Sequence, residues 1–487
     1  MAQIHKNIGF AGISQLLYTL LAFILVPFAA RYLGREGYGV YALATTLGFF
    51  VALISDLGMS TLLTREISKQ KRITAKLFSY SLSIKALFSV VALLVLTLYL
   101  AIGRLDYISI QVIYLFAIAS IITSFSQSAF SVFRGFEQIR FETLAVFIDK
   151  FLSVAIGISF LLAGLGIRPF ISSFLIAAVI KLLLSFAILR KHFIPVRIRV
   201  NVKRSFVMLS TSISFGLSIF LAMCYNYLDI LMLSVLSSMV HVGLYAASYK
   251  LLALTSMIPT VLSIAFLPQF SVVQSNRTRL TELFLKGCKY LVLFAFPMLP
   301  FVWLMSIPII YLVFGATYHD SIASLNILVV AAVAQMFNTF FVPLYASVNH
   351  QRKIVHFQVF GLAANVLLNA ALIPVFSYIG AAIATVFTEW LILILIIRWA
   401  LKRFLQFKPL KADFFKYTGR CLVSTLAMTI SMIITQSIFF EATITVPVAA
   451  VVYVAFLQLT GCLNVYQLVK KVVRYIFSKP VGERVGI

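Results

Sequence analysis

Apolar runs close to the length of a bilayer crossing recur along nearly the whole chain and leave little sequence between them. A helix rises 1.5 Å per residue, so about 20 such residues cover a hydrocarbon core ~30 Å thick. The runs place helices near 8–30, 38–60, 77–102, 110–133, 143–163, 169–189, 207–232 and 243–267. Six more fall near 290–311, 322–347, 355–375, 378–397, 417–438 and 444–465. The expected fold class is therefore an all-α integral membrane protein of about fourteen transmembrane helices.

Composition agrees, because 62% of the 487 residues are hydrophobic and 11% charged, too few polar groups to cover a water-soluble surface. No separate soluble domain is expected. The formal net charge of +26 would suit nucleic acid if it were concentrated on a polar module, but the basic residues are scattered between apolar runs, so no nucleic-acid partner is expected. The first run, 8–30, is 23 residues long, against ~7–15 for the apolar part of a secretory signal, and is read as a retained span. Cys224, Cys288, Cys421 and Cys462 stand far apart with no CxxC pair, so neither a disulfide framework nor a metal site is expected.

Basic residues test the span assignment, since they accumulate on the cytosolic side of membrane proteins. One set of loops and ends carries thirty-one Lys and Arg, among them Arg65 to Lys76, Arg190 to Arg204, Arg398 to Lys416 and Lys470 to Arg484; the alternate set carries four, Arg31, Arg35, Arg104 and Arg168. Both termini are expected in the cytosol, and most of the net charge is explained by topology and contact with anionic headgroups of membrane lipids.

The chain divides into an N-lobe over 1–190, a cytosolic linker over 191–206 containing Pro195, a C-lobe over 207–398, two further helices within 399–465 and a basic cytosolic tail over 466–487. A repeated phrase supports two six-helix lobes. Gly39-Val-Tyr-Ala-Leu in the first matches Gly243-Leu-Tyr-Ala-Ala in the second, as in transporters built from parallel repeats.

The stretch Ala30-Arg-Tyr-Leu-Gly-Arg-Glu-Gly-Tyr-Gly-Val-Tyr41, followed by Asp56-Leu-Gly58 and Arg65-Glu-Ile67, resembles the opening of the bacterial polysaccharide-biosynthesis flippases. Arg134-Gly-Phe-Glu137, Tyr227-Leu-Asp-Ile-Leu-Met-Leu-Ser234, Val242-Gly-Leu-Tyr-Ala-Ala247 and Pro268 extend the resemblance over nearly the whole chain. It implies the fold of the multidrug/oligosaccharidyl-lipid/polysaccharide exporters, with two lobes around a central cavity in the inner (cytoplasmic) membrane. It also implies a cargo, a polyprenyl-diphosphate-linked oligosaccharide repeat unit flipped to the outer leaflet by alternating access. A glycan polymerase and other assembly proteins are expected as further partners.

Charges near the bilayer centre cost at least ~2.5–3.5 kcal/mol each, so those present invite a functional reading. Lys85, Lys150 and Lys181 lie eight or nine residues inside their cytosolic helix ends, about 12–14 Å deep, where a cationic layer would suit a diphosphate. Asp149, beside Lys150, points elsewhere or tempers it. Lys250, nearer the other face, would serve the same anion or pair with Asp229. The plainer reading of these lysines is that their long stems snorkel to the interface.

The second lobe offers oxygen instead: Asp229, then Asn365 and Asn369 one turn apart, then Thr385 and Glu389 one turn apart. Such ligands suit a hard monovalent cation or a proton, or else join helices by hydrogen bonds. The pattern resembles the sodium site of the lipid II flippases, which implies Asp229, Asn365, Asn369 and Thr385 as ligands with the Ala381 carbonyl as a fifth. Asn369 stands where those relatives carry a second carboxylate, a departure that weakens the implied affinity; Glu389 substitutes for it or binds a proton. No cofactor is expected beyond the coupling ion.

An enzyme is not expected, since no loop exceeds about twenty residues and there is no GxxxxGK[ST] phosphate loop. The nearer rival is a multidrug or other cation-coupled exporter of the same superfamily, whose cavity should favour acids and aromatics over lysines. A channel or membrane scaffold would need neither the repeat nor paired polar residues at mid-membrane.

Overall fold

The computed structural model describes residues 2–103, 105–194, 202–406, 411–439 and 442–462, and among these the regular structure is helical throughout. Fourteen α-helices follow in order. The first seven are α1 (Ala2–Asp56), α2 (Met59–Lys69), α3 (Thr74–Ile102), α4 (Tyr107–Gly135), α5 (Ile139–Leu162), α6 (Ile167–His192) and α7 (Val202–Leu236). Then come α8 (Met239–Thr255), α9 (Met257–Val273), α10 (Arg277–Val313), α11 (Ser321–Ser347), α12 (Gln351–Arg403), α13 (Lys411–Phe439) and α14 (Ala442–Leu459). The tail expected over 466–487 lies outside the described residues, as does much of the linker expected over 191–206.

The helices differ from the expected spans in four places. At 55 and 53 residues, α1 and α12 would each run about 80 Å, far more than a bilayer, and each is broken by one non-helical residue. In α1 it is Gly34 (φ 69°, ψ −178°), a conformation that a side chain all but forbids. In α12 it is Ser377 (φ 51°, ψ −131°), next to Tyr378, whose ring stacks on His241 and whose hydroxyl donates to the Asp320 carbonyl at 3.1 Å. Conversely, α8 and α9 join into one apolar stretch, Met239–Val273. The added helix is α2, which buries Met59, Leu62, Leu63 and Ile67 and carries Arg65, Glu66 and Lys69 on its other side. Among the described residues eleven helices are long and apolar enough to cross a membrane. With the two broken helices counted as pairs and the shorter α14 added, the total meets the expected figure of about fourteen.

Helix α3 shows how these sequences distribute their residues. Leu87, Leu94, Leu98 and Ile102 recur at helical spacing on an exposed face, whereas Ser81, Lys85 and Ser89, one turn apart, are buried. This inverts the order of a soluble helix, as hydrocarbon demands: apolar side chains face lipid and polar ones find partners inside the bundle.

The chain forms two compact units. The first comprises Met1–Lys250, Ile310–Ser324 and Leu362–Ala384; the second comprises Leu251–Ile309, Leu325–Gly361 and Thr385–Ile487. In the first, α4 packs against α1 and α6, and α5 against α1 and α6. A core of Leu63, Phe78, Leu82, Phe130, Phe133 and Leu189 closes one region of this unit. In the second, α13 packs on α14, and Met305, Met428, Met432 and Tyr453 share a core.

Within the first unit the repeated phrases meet. A Cβ on Gly243 would lie 2.0 Å from the Arg35 carbonyl oxygen, and one on Gly39 would lie 2.0 Å from that of Met239. Two backbones therefore touch where the sequence places its matching glycines, as small residues allow between membrane helices. Around this crossing Arg35 pairs with Asp320 at 2.7 Å, Arg31 donates to the carbonyl of Tyr311 at 3.2 Å, and the Tyr318 hydroxyl donates to the carbonyl of Gly34 at 3.0 Å.

Candidate functional site

Asp229 on α7 is the buried acid of the first unit's oxygen-rich group. Its Oδ2 accepts from the Tyr245 hydroxyl at 2.5 Å, and its Oδ1 accepts from Asn369 Nδ2 at 2.6 Å. The same nitrogen donates to Asn365 Oδ1 at 2.9 Å, as expected for residues one helical turn apart. The structure thus brings Asp229, Asn365 and Asn369 together, all of them buried, and Ala381, also buried, belongs to the same unit. Asn369 Oδ1 is buried with no hydrogen-bond partner. An orphaned carbonyl oxygen of this kind costs about 1–3 kcal/mol, and a cation beside it would relieve that cost. A carboxylate with two amide oxygens is a hard donor set that fits sodium. Among the described residues no three His, Cys, Asp or Glu side chains gather in the way a transition metal would require.

Thr385 and Glu389 belong to the second unit. There Asn338 Nδ2 donates to Glu389 Oε2 at 2.8 Å and to the Glu389 carbonyl at 3.0 Å, so the acid is held by a residue from α11. The same unit contains a cavity of about 300 Å³ lined by apolar side chains, among them Phe284, Val292, Phe337, Trp390, Leu393 and Phe414.

The four lysines separate into two kinds. Lys85 is fully buried, and its ammonium meets Asp56 Oδ1 at 2.7 Å, Ser60 Oγ at 3.0 Å and the Ser124 carbonyl at 2.6 Å. Three acceptors for three N–H donors leave nothing for a phosphate, so the anion-binding role expected of Lys85 is corrected to that of a strut joining α1, α2, α3 and α4. The other three stand in a different group. Lys181 Nζ pairs with Asp149 Oδ2 at 3.0 Å and donates to Thr123 Oγ1 at 3.0 Å, while Lys150 lies within electrostatic range of Asp149, Lys250 and Lys181. Neither Lys85 nor Lys181 snorkels; both point into the bundle.

Among the partners that sequence reasoning missed are Tyr245 on Asp229, Asp56 on Lys85, Asp149 and Thr123 on Lys181, and Asn338 on Glu389. Two left a trace, since Tyr245 and Asp56 stand inside phrases already conspicuous, Val242 to Ala247 and Asp56-Leu-Gly58. Thr123 and Asn338 are ordinary polar residues in apolar helices, and nothing in spacing sets them apart.

The sequence profile of the family described as polysaccharide biosynthesis protein matches residues 4–274, more than half of the 487. The chain belongs to that family. Among curated proteins, the chain is similar to the probable low-salt glycan biosynthesis flippase Agl15 of Haloferax volcanii, 23% identical over 418 residues that cover 84% of each chain. Among solved structures it is similar to the lipid II flippase MurJ in an inward closed conformation, with a TM-score of 0.75, 16% identity and coverage of 93% of this chain and 98% of that one. An inward-facing multidrug resistance MATE family transporter of the MOP superfamily superposes with a TM-score of 0.66 at 17% identity, covering 82% of this chain and 98% of that one. The chain therefore has the expected fold, that of these flippase and exporter structures, and is a multi-pass membrane protein.

Proposed function

We propose that this protein carries an oligosaccharide linked to a polyprenyl diphosphate from the cytoplasmic to the outer leaflet, by alternating access of its two lobes and with a cation as driving ion. The reading rests above all on buried Lys181 paired with Asp149, with half-buried Lys150 within electrostatic range of Asp149, Lys181 and Lys250, a locally positive group on membrane-spanning helices. A diphosphate dragged through hydrocarbon needs countercharge at depth, and lysine ammonium groups provide it. The apolar cavity of the second unit suits part of a lipid tail, and the orphaned oxygen of Asn369 beside Asp229 suits a sodium ion. On this reading both termini are cytosolic in the inner membrane, the chain performs no covalent chemistry, and polymerase and assembly proteins take the cargo on the far side. A drug exporter selecting cations would favour acids over this lysine cluster.

The test is reconstitution into vesicles with a fluorescent polyprenyl-diphosphate oligosaccharide. Joint Lys150→Ala and Lys181→Ala replacement should lower flipping at least about tenfold with insertion intact, the loss expected when a desolvated charge pair is removed. Full flipping by that variant would reject the anion site. Coupling is tested by imposing sodium or pH gradients: the response should vanish in Asp229→Ala, and indifference of the unaltered protein to both gradients would remove the ion from the scheme.

A further inference from the structure

Asp149 is an acid standing among the lysines of the first unit that the proposed cargo would meet. It follows α5's sequence into Lys150, yet successive residues on a helix point about 100° apart, so the two do not share a direction. Its carboxylate instead reaches α6, where Oδ2 lies 3.0 Å from Lys181 Nζ. Thr123 on α4 holds the same ammonium at 3.0 Å, so Lys181 is fixed from two sides. The partners differ in access: the Lys181 side chain is 5% exposed and that of Asp149 is 21% exposed. An arriving anion can therefore displace the acid while the lysine stays in place. Lys150, the next residue on α5, also stands within electrostatic range of Asp149, Lys250 and Lys181.

We infer that Asp149 is a displaceable counter-ion, competing with the cargo's diphosphate for Lys181 and reclaiming it on release. The inference rests on the proposed function and adds to it a residue with a distinct task. Without such an acid, three lysines at depth would repel one another when empty and would hold a dianion too well to let it go. With it, Lys181 exchanges one oxyanion for another, so neither leaflet's release step leaves a bare ammonium in a low-dielectric interior. Asp149 is thus a positioning residue, acting through Lys181 on affinity and release and leaving the route unchanged.

The experiment measures binding of farnesyl diphosphate to the purified full-length protein and, in vesicles, KM and kcat for the diphosphate-linked oligosaccharide. Asp149→Asn should bind farnesyl diphosphate at least threefold more tightly, with KM and kcat both falling by a similar factor, and Asp149→Glu should restore both. A structural role alone would lower the amount of folded protein and move neither constant. In a Lys181→Met background Asp149→Asn should tighten binding by clearly less than it does in the unaltered protein, and an equal gain in both backgrounds overturns the exchange at Lys181; if Asp149→Asn does not fold, Asp149→Ser replaces it in the same comparison. Unchanged or weaker binding by folded Asp149→Asn overturns the inference while leaving the proposed function standing. No diphosphate binding by the unaltered protein overturns both. Inorganic diphosphate binding as tightly as the prenyl form would keep the exchange and assign it to free diphosphate; preference for the prenyl form assigns it to the lipid-linked headgroup.

Discussion

Lys85 and Lys181 are chemically alike and similarly deep, yet their neighbours give them different work. Lys85 satisfies Asp56, Ser60 and Ser124 at once, and Ser60 Oγ itself donates to Asp56 Oδ1 at 2.5 Å, so the network closes on itself. Removing one partner of a buried pair strands the other charge, so Lys85→Met should destabilise the protein by about 3–5 kcal/mol. Lys85→Met with Asp56→Asn should recover most of that loss. Thermal unfolding in detergent would measure both, and diphosphate binding per folded molecule should stay unchanged, unlike in Lys181→Met. Asn369 offers a second residue-scale prediction. Restoring a carboxylate there by Asn369→Asp should raise sodium affinity on the order of tenfold, because charge count among oxygen ligands tunes cation binding; isothermal titration with sodium checks it.

At the scale of elements, helix ends and crossings decide what each helix can do. Asp106 caps α4, its side chain accepting from the backbone N–H of Ile108 at 3.1 Å and of Ser109 at 3.3 Å. A hydrogen bond from the Ser109 side chain, helped by the backbone N–H groups of Ser109 and Ile108, holds its carboxyl below the ordinary value. A carboxyl lowered on folding stabilises above its unfolded pKa, and that stability is lost as pH falls through the folded one. Asp106→Ala should therefore cost about 1 kcal/mol at neutral pH and little in strong acid, read as faster amide exchange in the first turn of α4. The crossing at Gly39 and Gly243 has no such tolerance, since each glycine faces a carbonyl oxygen that any Cβ would strike. Gly243→Val should separate the segments locked there, read as a lower thermal unfolding midpoint in detergent than that of the unaltered protein.

For the whole molecule, the contact-defined units cut across the sequence halves. The short stretches Ile310–Ser324 and Leu362–Ala384 group with the first 250 residues, drawn there by Tyr318, Asp320 and Asn369. Residues distant in sequence thus converge on α1 and α7 within the first unit. This arrangement places Asp229 with Asn365 and Asn369 in the first unit, and Glu389 with Asn338 in the second. If the two acids serve separate steps, Asp229→Asn and Glu389→Gln should differ in kind. The first should abolish the sodium response of flipping, and the second should change its pH dependence, each measured in vesicles under one gradient at a time.

Hydropathy alone determined that the chain is helical, embedded in membrane and divided into about fourteen crossings, because the thickness of oil sets segment length and the backbone must satisfy itself there. It also marked Asp229, Asn365, Asn369 and the deep lysines, since any charge or amide in hydrocarbon is conspicuous. What it left open was pairing. Asp56 with Lys85 lie 29 positions apart, Asp149 with Lys181 lie 32 apart and Asp229 with Asn369 lie 140 apart. Only the packing of one helix against another chooses among such distant partners, and that choice separates a strut from a site.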